Sequence, residues 1–401
     1  MKKTNLFLAA ITALALVGCN DVPEDVISRT EEQQARESAA AEDSKAYAES
    51  DFDPYAKVSL AEVKAELNGY KFKAHDNLNF VCEPAPIEAE NVYELQVTVG
   101  RTSGETADDT DKERLKKAVK AIFDIDITDE WMYSKWPDKT DMTAEHDGIF
   151  YGDVYHKSSA FRLRNETPAE VIDLQDNMNN HSIDECMDEK LKMFDGSELT
   201  VRDAVTQCDG YINKLRDAGI IDEGESFKAT RAAYSNSGSG EILCIHYQQI
   251  RHGLPIDDSG KQGAWKIRSG FFEVWMLGNG KPYNLTNMYP ATEMGKTAID
   301  KIIPLSSAEF LASDGLAPKM TFDVSEVELR YICQWDAFEF TEPLIYKPMW
   351  CFTVKNYPTS KAGMSFERVM IYIDAVTGDF YYSDPAVSQF FTSIELKISK
   401  F

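Results

Sequence analysis

The sequence predicts an α+β fold: tandem units of a helix packed on a small antiparallel sheet, following an N-terminal α+β unit. Three observations carry that expectation. First, Val369, Ile371 and Ile373 alternate with Met370, Tyr372 and Asp374 as in a strand, and Phe380 to Tyr382 read as its return after a turn at Gly378. Second, Thr200 precedes a helical stripe of Val201, Ala204, Val205, Cys208, Ile212 and Leu215, which Gly219 stops. Third, the order of a helix and then three or four antiparallel strands occurs twice, and a helix lying on one face of such a sheet buries both apolar surfaces. The expected division is a signal over 1–18, a tether over 19–57, and units over 58–165, 166–290 and 291–401.

Met1 to Cys19 has the form of an export signal. Lys2 and Lys3 supply its positive start, and Leu6 to Val17 is an apolar core shorter than the ~20 residues of a membrane span. It ends in Leu16-Val17-Gly18-Cys19, which resembles the bacterial lipobox. The resemblance implies that Cys19 is acylated and becomes the new N-terminus, so the lipid bilayer is the first expected partner and the extracytoplasmic face of the cell membrane the expected location. Asn20 to Asp51 holds ten acids and three bases among Ala, Ser and Gln, too polar to bury a core, and reads as a solvated tether.

The chain carries 42 Lys+Arg against 67 Asp+Glu, a net charge of −25 that becomes more negative when Lys2 and Lys3 leave with the signal. Such a charge argues against nucleic acid and against an electrostatic grip on anionic lipid.

In the first unit Tyr93, Leu95, Val97 and Val99 alternate as a strand. Thr110-Asp111-Lys112-Glu113 has capping-box spacing ahead of Leu115, Val119, Ile122 and Phe123 on one helical face. Trp131, Tyr133 and Trp136 are core aromatics or a sugar-stacking platform. Asp124-x-Asp126-x-Thr128 begins like a calcium loop, but Asp129 stands where the turn glycine is needed and Lys135 where the bidentate Glu is needed, so no EF-hand is expected.

The second unit opens at Thr167-Pro168-Ala169-Glu170, a helix start. A strand over Ile242 to Arg251 leads into Gly253-Leu254-Pro255-Ile256, and Asn279-Gly280 joins two further strands as a hairpin. Gly238-Ser239-Gly240 lacks the spacing of a nucleophile elbow. In the third unit Ala298, Ile299, Ile302 and Ile303 form a short helical face that Pro304 interrupts, ahead of strands over Val327 to Trp335 and Trp350 to Val354. Asp374 can accept backbone N–H groups in the closing turn, where Gly378 supplies φ > 0.

Besides Cys19 there are Cys82, Cys186, Cys208, Cys244, Cys333 and Cys351. Cys333 shares a face with Val327, Leu329 and Tyr331, whereas Cys351 lies opposite Trp350, Phe352 and Val354, so the two point to opposite sides of a sheet. The six sit inside apolar patterns and read as buried free thiols.

Tyr247-Gln248-Gln249 with Gly253-Leu254-Pro255-Ile256 resembles the motif of fungalysin/thermolysin propeptide (FTP) domains. Ile371 to Asp379 is similar to the closing hairpin of PepSY domains, and Pro348 to Phe352 to the strand before it in PepSY and YycH/YycI-like proteins. The resemblance covers about 167–384 and implies a PepSY/cystatin-like, propeptide-like surface that inhibits or regulates another protein. No H-E-x-x-H is present. His75, His146, His156, His181, His246 and His252 are scattered, and His246 and His252 lie ~20 Å apart on a strand. His181 and Glu185 have i,i+4 spacing without a third ligand.

The expectation is a non-catalytic surface lipoprotein, without metal or cofactor, that binds a protease or a sensor complex. Gln249 and Arg251 are the expected partner contacts on an exposed strand face, and Gly253, Pro255, Asp374 and Gly378 shape turns. The alternative is a glycan- or peptide-binding lipoprotein using Trp131, Tyr133 and Trp136. A hydrolase built from paired carboxylates has no motif to support it.

Overall fold

In the computed structural model the described residues are 52–99, 106–135, 139–165, 178–222, 224–234, 240–257, 271–287, 290–316, 321–334, 344–355 and 370–383. The expected signal, the acylated Cys19, the helix start at Thr167, Gly238-Ser239 and Trp136 lie outside them.

The first strands are β1 (Val58–Ser59), β2 (Leu78–Phe80), β3 (Val92–Val99), β4 (Met132–Tyr133), β5 (Asp141–His146), β6 (Ile149–Tyr155) and β7 (Phe161–Arg164). Next come β8 (Asn179–Ser182), β9 (Lys190–Lys192), β10 (Glu198–Thr200), β11 (Glu225–Tyr234), β12 (Leu243–Arg251), β13 (Leu254–Pro255), β14 (Phe271–Gly278) and β15 (Lys281–Asn287). The last are β16 (Ala291–Ile299), β17 (Lys301–Ile302), β18 (Phe322–Gln334), β19 (Leu344–Lys355), β20 (Met370–Asp374) and β21 (Phe380–Ser383). The helices are α1 (Leu60–Leu67), α2 (Asp109–Phe123), α3 (Ile183–Cys186), α4 (Val201–Asp217) and α5 (Leu305–Gly315). The fold is mixed α+β and mostly sheet.

Two large sheets organise these elements. The first runs β4-β5-β6-β7-β15-β14-β12-β11-β8 with β13 appended to β12, and every pairing in it is antiparallel. The second runs β16-β3-β19-β18-β2, with β20 on β19 and β21 on β20. These pairings correct the expected division. β15 pairs with β7 across position 165, and β16 pairs with β3, so each sheet takes strands from widely separated stretches of chain. Strand alternation says which side a residue faces but not which distant strand will lie beside it.

Each sheet has its main core on one face, with a smaller apolar cluster on the other: Ile242 and Tyr283 on the first sheet, and Ile332, Met349, Cys351, Met370 and Tyr372 on the second. Leu115, Val119 and Ile122 of α2 and Ala204, Cys208, Ile212 and Leu215 of α4 pack against Leu163, Leu285, Val274 and Ile245 of the first sheet. Val63 of α1 and Leu305, Ala308 and Ala312 of α5 pack against Leu95, Val97, Leu329, Tyr331, Trp350 and Phe352 of the second.

Local chemistry accounts for the helix ends, with two corrections. The cap of α2 is Asp108, not Thr110: its carboxylate accepts from the N–H groups of Thr110 and Asp111, and Asp111 returns the contact to the Asp108 N–H. Two acids three apart satisfy the same donors as a Ser/Thr–Glu box. Ala298 and Ile299 lie in β16 rather than on a helix, paired with Tyr93 and Val92. Pro304 then starts α5 as its N-cap instead of interrupting a helix, and the Glu66 carboxylate accepts from the N–H groups of Leu305 and Ser306. Thr200 caps α4 through the Asp203 N–H, and Gly219 follows the helix at φ +74°.

Candidate functional site

Gln249 and Arg251 do not face solvent; their exposures are 0% and 3%. They share the core-facing side of β12 with Leu243, Ile245 and Tyr247. Gln249 Nε2 donates to Glu225 Oε1 at 2.7 Å, and Gln249 Oε1 accepts the Ala291 N–H at 2.9 Å. Arg251 pairs with Glu225 Oε2 at 3.3 Å and donates from Nε to the Ala291 carbonyl at 3.2 Å. Burial raises the Glu225 pKa, and the Arg251 charge opposes that rise. The pair therefore ties the end of β12, in the first sheet, to the start of β16, in the second. Surface contact with a partner is not its position.

The turn that follows has a matching structural task. His252 and Gly253, at φ +49° and +78°, form a two-residue connection between β12 and β13, with Arg251 paired to Leu254 and Ile250 to Pro255. Leu254 and Ile256 are then buried in the second sheet's core, and the Asp257 N–H donates to the Tyr331 carbonyl at 2.9 Å. Asp257 also faces Arg330, 3.7 Å away, inside a cluster in which Arg330 bonds Glu328 and Glu326. At the other turn, Asp374 Oδ1 accepts from the N–H groups of Val376 and Thr377 at 2.8 and 3.0 Å, with Gly378 at φ +78°.

The opposite face of the first sheet holds a row that sequence reasoning did not assemble, although it singled out Tyr133 and His246 within it. Strand register aligns Tyr133, Thr143, Asp153, Arg162, Thr286, Glu273, His246, Arg231 and Ser182 side by side across nine strands. All carry polar groups. The helices that pack on this sheet among the described residues contribute to the core on its other side. Arg162 Nη2 donates to Asp153 Oδ2 at 2.9 Å, while Asp153 Oδ1 and Arg162 Nε, both buried atoms, have no hydrogen-bond partner among the described residues. Burial raises the Asp153 pKa, and Arg162 counters it. His246 Nδ1 lies 3.2 Å from Glu273 Oε1, and the Trp275 indole N–H donates to Glu273 Oε2 at 3.1 Å. Alternation signalled the polar side of each strand, but the row itself depends on long-range register.

Trp131 stacks on His146, with ring centroids 4.2 Å apart, and on Tyr151 at 5.6 Å, so its ring is engaged within the protein. Tyr133, at the sheet edge, is 43% exposed and donates its hydroxyl to Glu145. His181 lies on β8 and stacks on Tyr234, while Glu185 lies in α3; they do not share a helix face. Asp108, Asp111 and His156 bring ligand-type atoms together, but the Arg114 guanidinium bonds Asp111 and the N-terminus of α2 adds positive potential. Their acidic charge is already balanced. Cys82, Cys186, Cys208, Cys244, Cys333 and Cys351 are free thiols, and Cys333 and Cys351 pack on opposite sides of the second sheet.

No known family description and no curated protein matches the chain. Among solved structures it is similar to an uncharacterized protein from Eubacterium rectale, with 14% identity and a TM-score of 0.49 over 81% of this chain and 99% of that one.

Proposed function

We propose that the protein is a lipid-anchored, extracytoplasmic, non-catalytic lipoprotein that binds and regulates another protein through the polar face of its ten-stranded sheet. The observation that carries this reading is the nine-residue polar row. Thr143 and Asp153 are buried within the row, whereas Tyr133 is exposed and Arg162, Thr286, Glu273, His246, Arg231 and Ser182 are partly exposed. The accessible side chains offer directional hydrogen bonds and charges of both signs to a partner surface. The lipobox at Leu16 to Cys19 and the acidic tether support anchorage and reach from the membrane. No described helix is long and apolar enough to cross a membrane. The high negative charge argues against nucleic acid as the ligand.

The partner class comes from the FTP/PepSY resemblance. The order α4, then β11, β12, β14 and β15, and the order α5, then β18 to β21, support a propeptide-like reading of both stretches. The partner is accordingly an extracytoplasmic protease or the sensor part of a signalling complex. Contact moves from Gln249 and Arg251 to the row centred on Arg162, Thr286 and Arg231.

The test is a titration of the mature chain against secreted metalloproteases of the same bacterium, beside a Thr286→Arg variant. Saturable inhibition that Thr286→Arg weakens at least tenfold, with an unchanged melting temperature, supports both the partner class and the face. Equal inhibition by wild type and variant removes the face from the proposal. No inhibition at micromolar concentration excludes the protease. The sensor reading then stands or falls on whether a photocrosslinker at position 286 captures a membrane signalling protein in intact cells.

A further inference from the structure

We propose that Cys244, His246 and Glu273 form a binding site for a divalent transition metal of the zinc class on the polar face of the first sheet. Cys244 and His246 are two apart on β12 and so project to the same side, and Glu273 on β14 lies directly opposite His246. One ligand atom from each lies within 4.8 Å of the other two. The His246–Glu273 contact is already 3.2 Å. Ligand atoms bound tetrahedrally to zinc at ~2.0–2.3 Å stand roughly 3.3–3.7 Å apart, so the trio needs to close by about 1.5 Å at most.

The site has the supports such a centre requires. Trp275, paired across from Cys244, donates its indole N–H to Glu273 Oε2 and orients the carboxylate, as an outer-shell partner does. Cys244 is fully buried, whereas the side chains of His246 and Glu273 keep 16% and 18% exposure, so an ion would be reached past those two side chains. A thiolate, an imidazole and a carboxylate together select zinc or cobalt over magnesium or calcium. Their two negative charges match a divalent ion, and Arg231, opposite His246 on β11, adds one positive charge beside them. On binding, the Cys244 thiol releases its proton to solvent, and His246 coordinates through the Nδ1 lone pair with its remaining ring proton on Nε2. Three protein ligands leave a fourth position for water or an incoming group.

Cobalt titration of the reduced mature chain tests the site without any partner, so its outcome is separable from that of the regulatory reading. The expected result is one Co²⁺ per chain with a near-ultraviolet thiolate-to-cobalt band. Cys244→Ala abolishes the band, while Cys82→Ala and Cys333→Ala retain it. His246→Gln and Glu273→Gln, at partly buried positions where the replacement keeps hydrogen-bonding capacity, weaken binding at least tenfold with an unchanged melting temperature. Trp275→Phe weakens it about tenfold through the freed carboxylate. Absence of the band in the wild-type chain at millimolar cobalt, its survival in Cys244→Ala, or unaltered affinity in both His246→Gln and Glu273→Gln overturns the proposal.

Discussion

Arg251 and Glu225 meet 3.3 Å apart in the interior, and each is held by a further neighbour: Arg251 by the Ala291 carbonyl and Glu225 by the Gln249 amide. Removing one member of a buried pair strands the other charge. Arg251→Ala is therefore expected to destabilise the protein by about 3–5 kcal/mol. A double change, Arg251→Met with Glu225→Gln, should recover much of that loss, because no uncompensated charge remains. Urea denaturation of the two variants measures both numbers, and an Arg251→Ala protein within about 1 kcal/mol of wild type would show that the pair is not the junction described here.

The turn at His252–Gly253 is an element-scale device, since it reverses β12 and delivers Leu254 and Ile256 to the second core. A Cβ on Gly253 would fall 2.5 Å from the Cα of Ala89 at a backbone φ of +78°. Both the close approach and the left-handed backbone disfavour any side chain there. Gly253→Ala should destabilise by about 2–4 kcal/mol, combining overpacking against backbone with left-handed strain. The readout is the melting temperature. Gly280→Ala is the control: it shares a positive φ, of +70°, but meets nothing within 4 Å, so it should lower the melting temperature less. Equal losses at the two positions would assign the effect to φ alone and remove the packing argument.

At the scale of the whole molecule, residues Pro54 onward form one compact unit. The first sheet joins β4 to β7 onto β15, and the second holds β3 between β16 and β19. A fragment beginning at Thr167 would lose β4 to β7, the α2 half of the first core, and β2 and β3 of the second sheet. It would also open β15 as a long unpaired edge. That fragment is expected to show no cooperative thermal transition, while the mature chain shows one. Calorimetry with near-ultraviolet circular dichroism checks this, and a sharp transition in the fragment would restore an independent unit from 167 onward.

Period-2 patterns read directly as β3, β18, β19 and the β20–β21 hairpin, and Asn279-Gly280 marked the turn between β14 and β15. Thr200 and Gly219 bounded α4, because caps and stops act within a few residues of themselves. The same alternation placed Cys333 and Cys351 on opposite sides of one sheet. Gln249 and Arg251 escaped the reading because polar character was taken for exposure, although their phase with Ile245 and Tyr247 already put them on the core side. The apolar spacing at Ala298 to Ile303 fits a helix or a strand, and pairing of Ala298 and Ile299 with β3 and of Ile302 with Val58 of β1 resolved it as strand.

What the sequence by itself determined is the class of the fold, the Thr200 cap, the turns at Gly253, Asn279-Gly280 and Gly378, and the side of each strand that a residue takes. All of these depend on backbone geometry and on neighbours within one or two turns of chain. Only the tertiary structure decided that β7 lies beside β15 and β3 beside β16, which side of each sheet the helices cover, and that nine polar residues from nine strands share one row. The physical reason is that phase is a local property of the chain, whereas register and burial are chosen when distant strands compete for partners and for a common core.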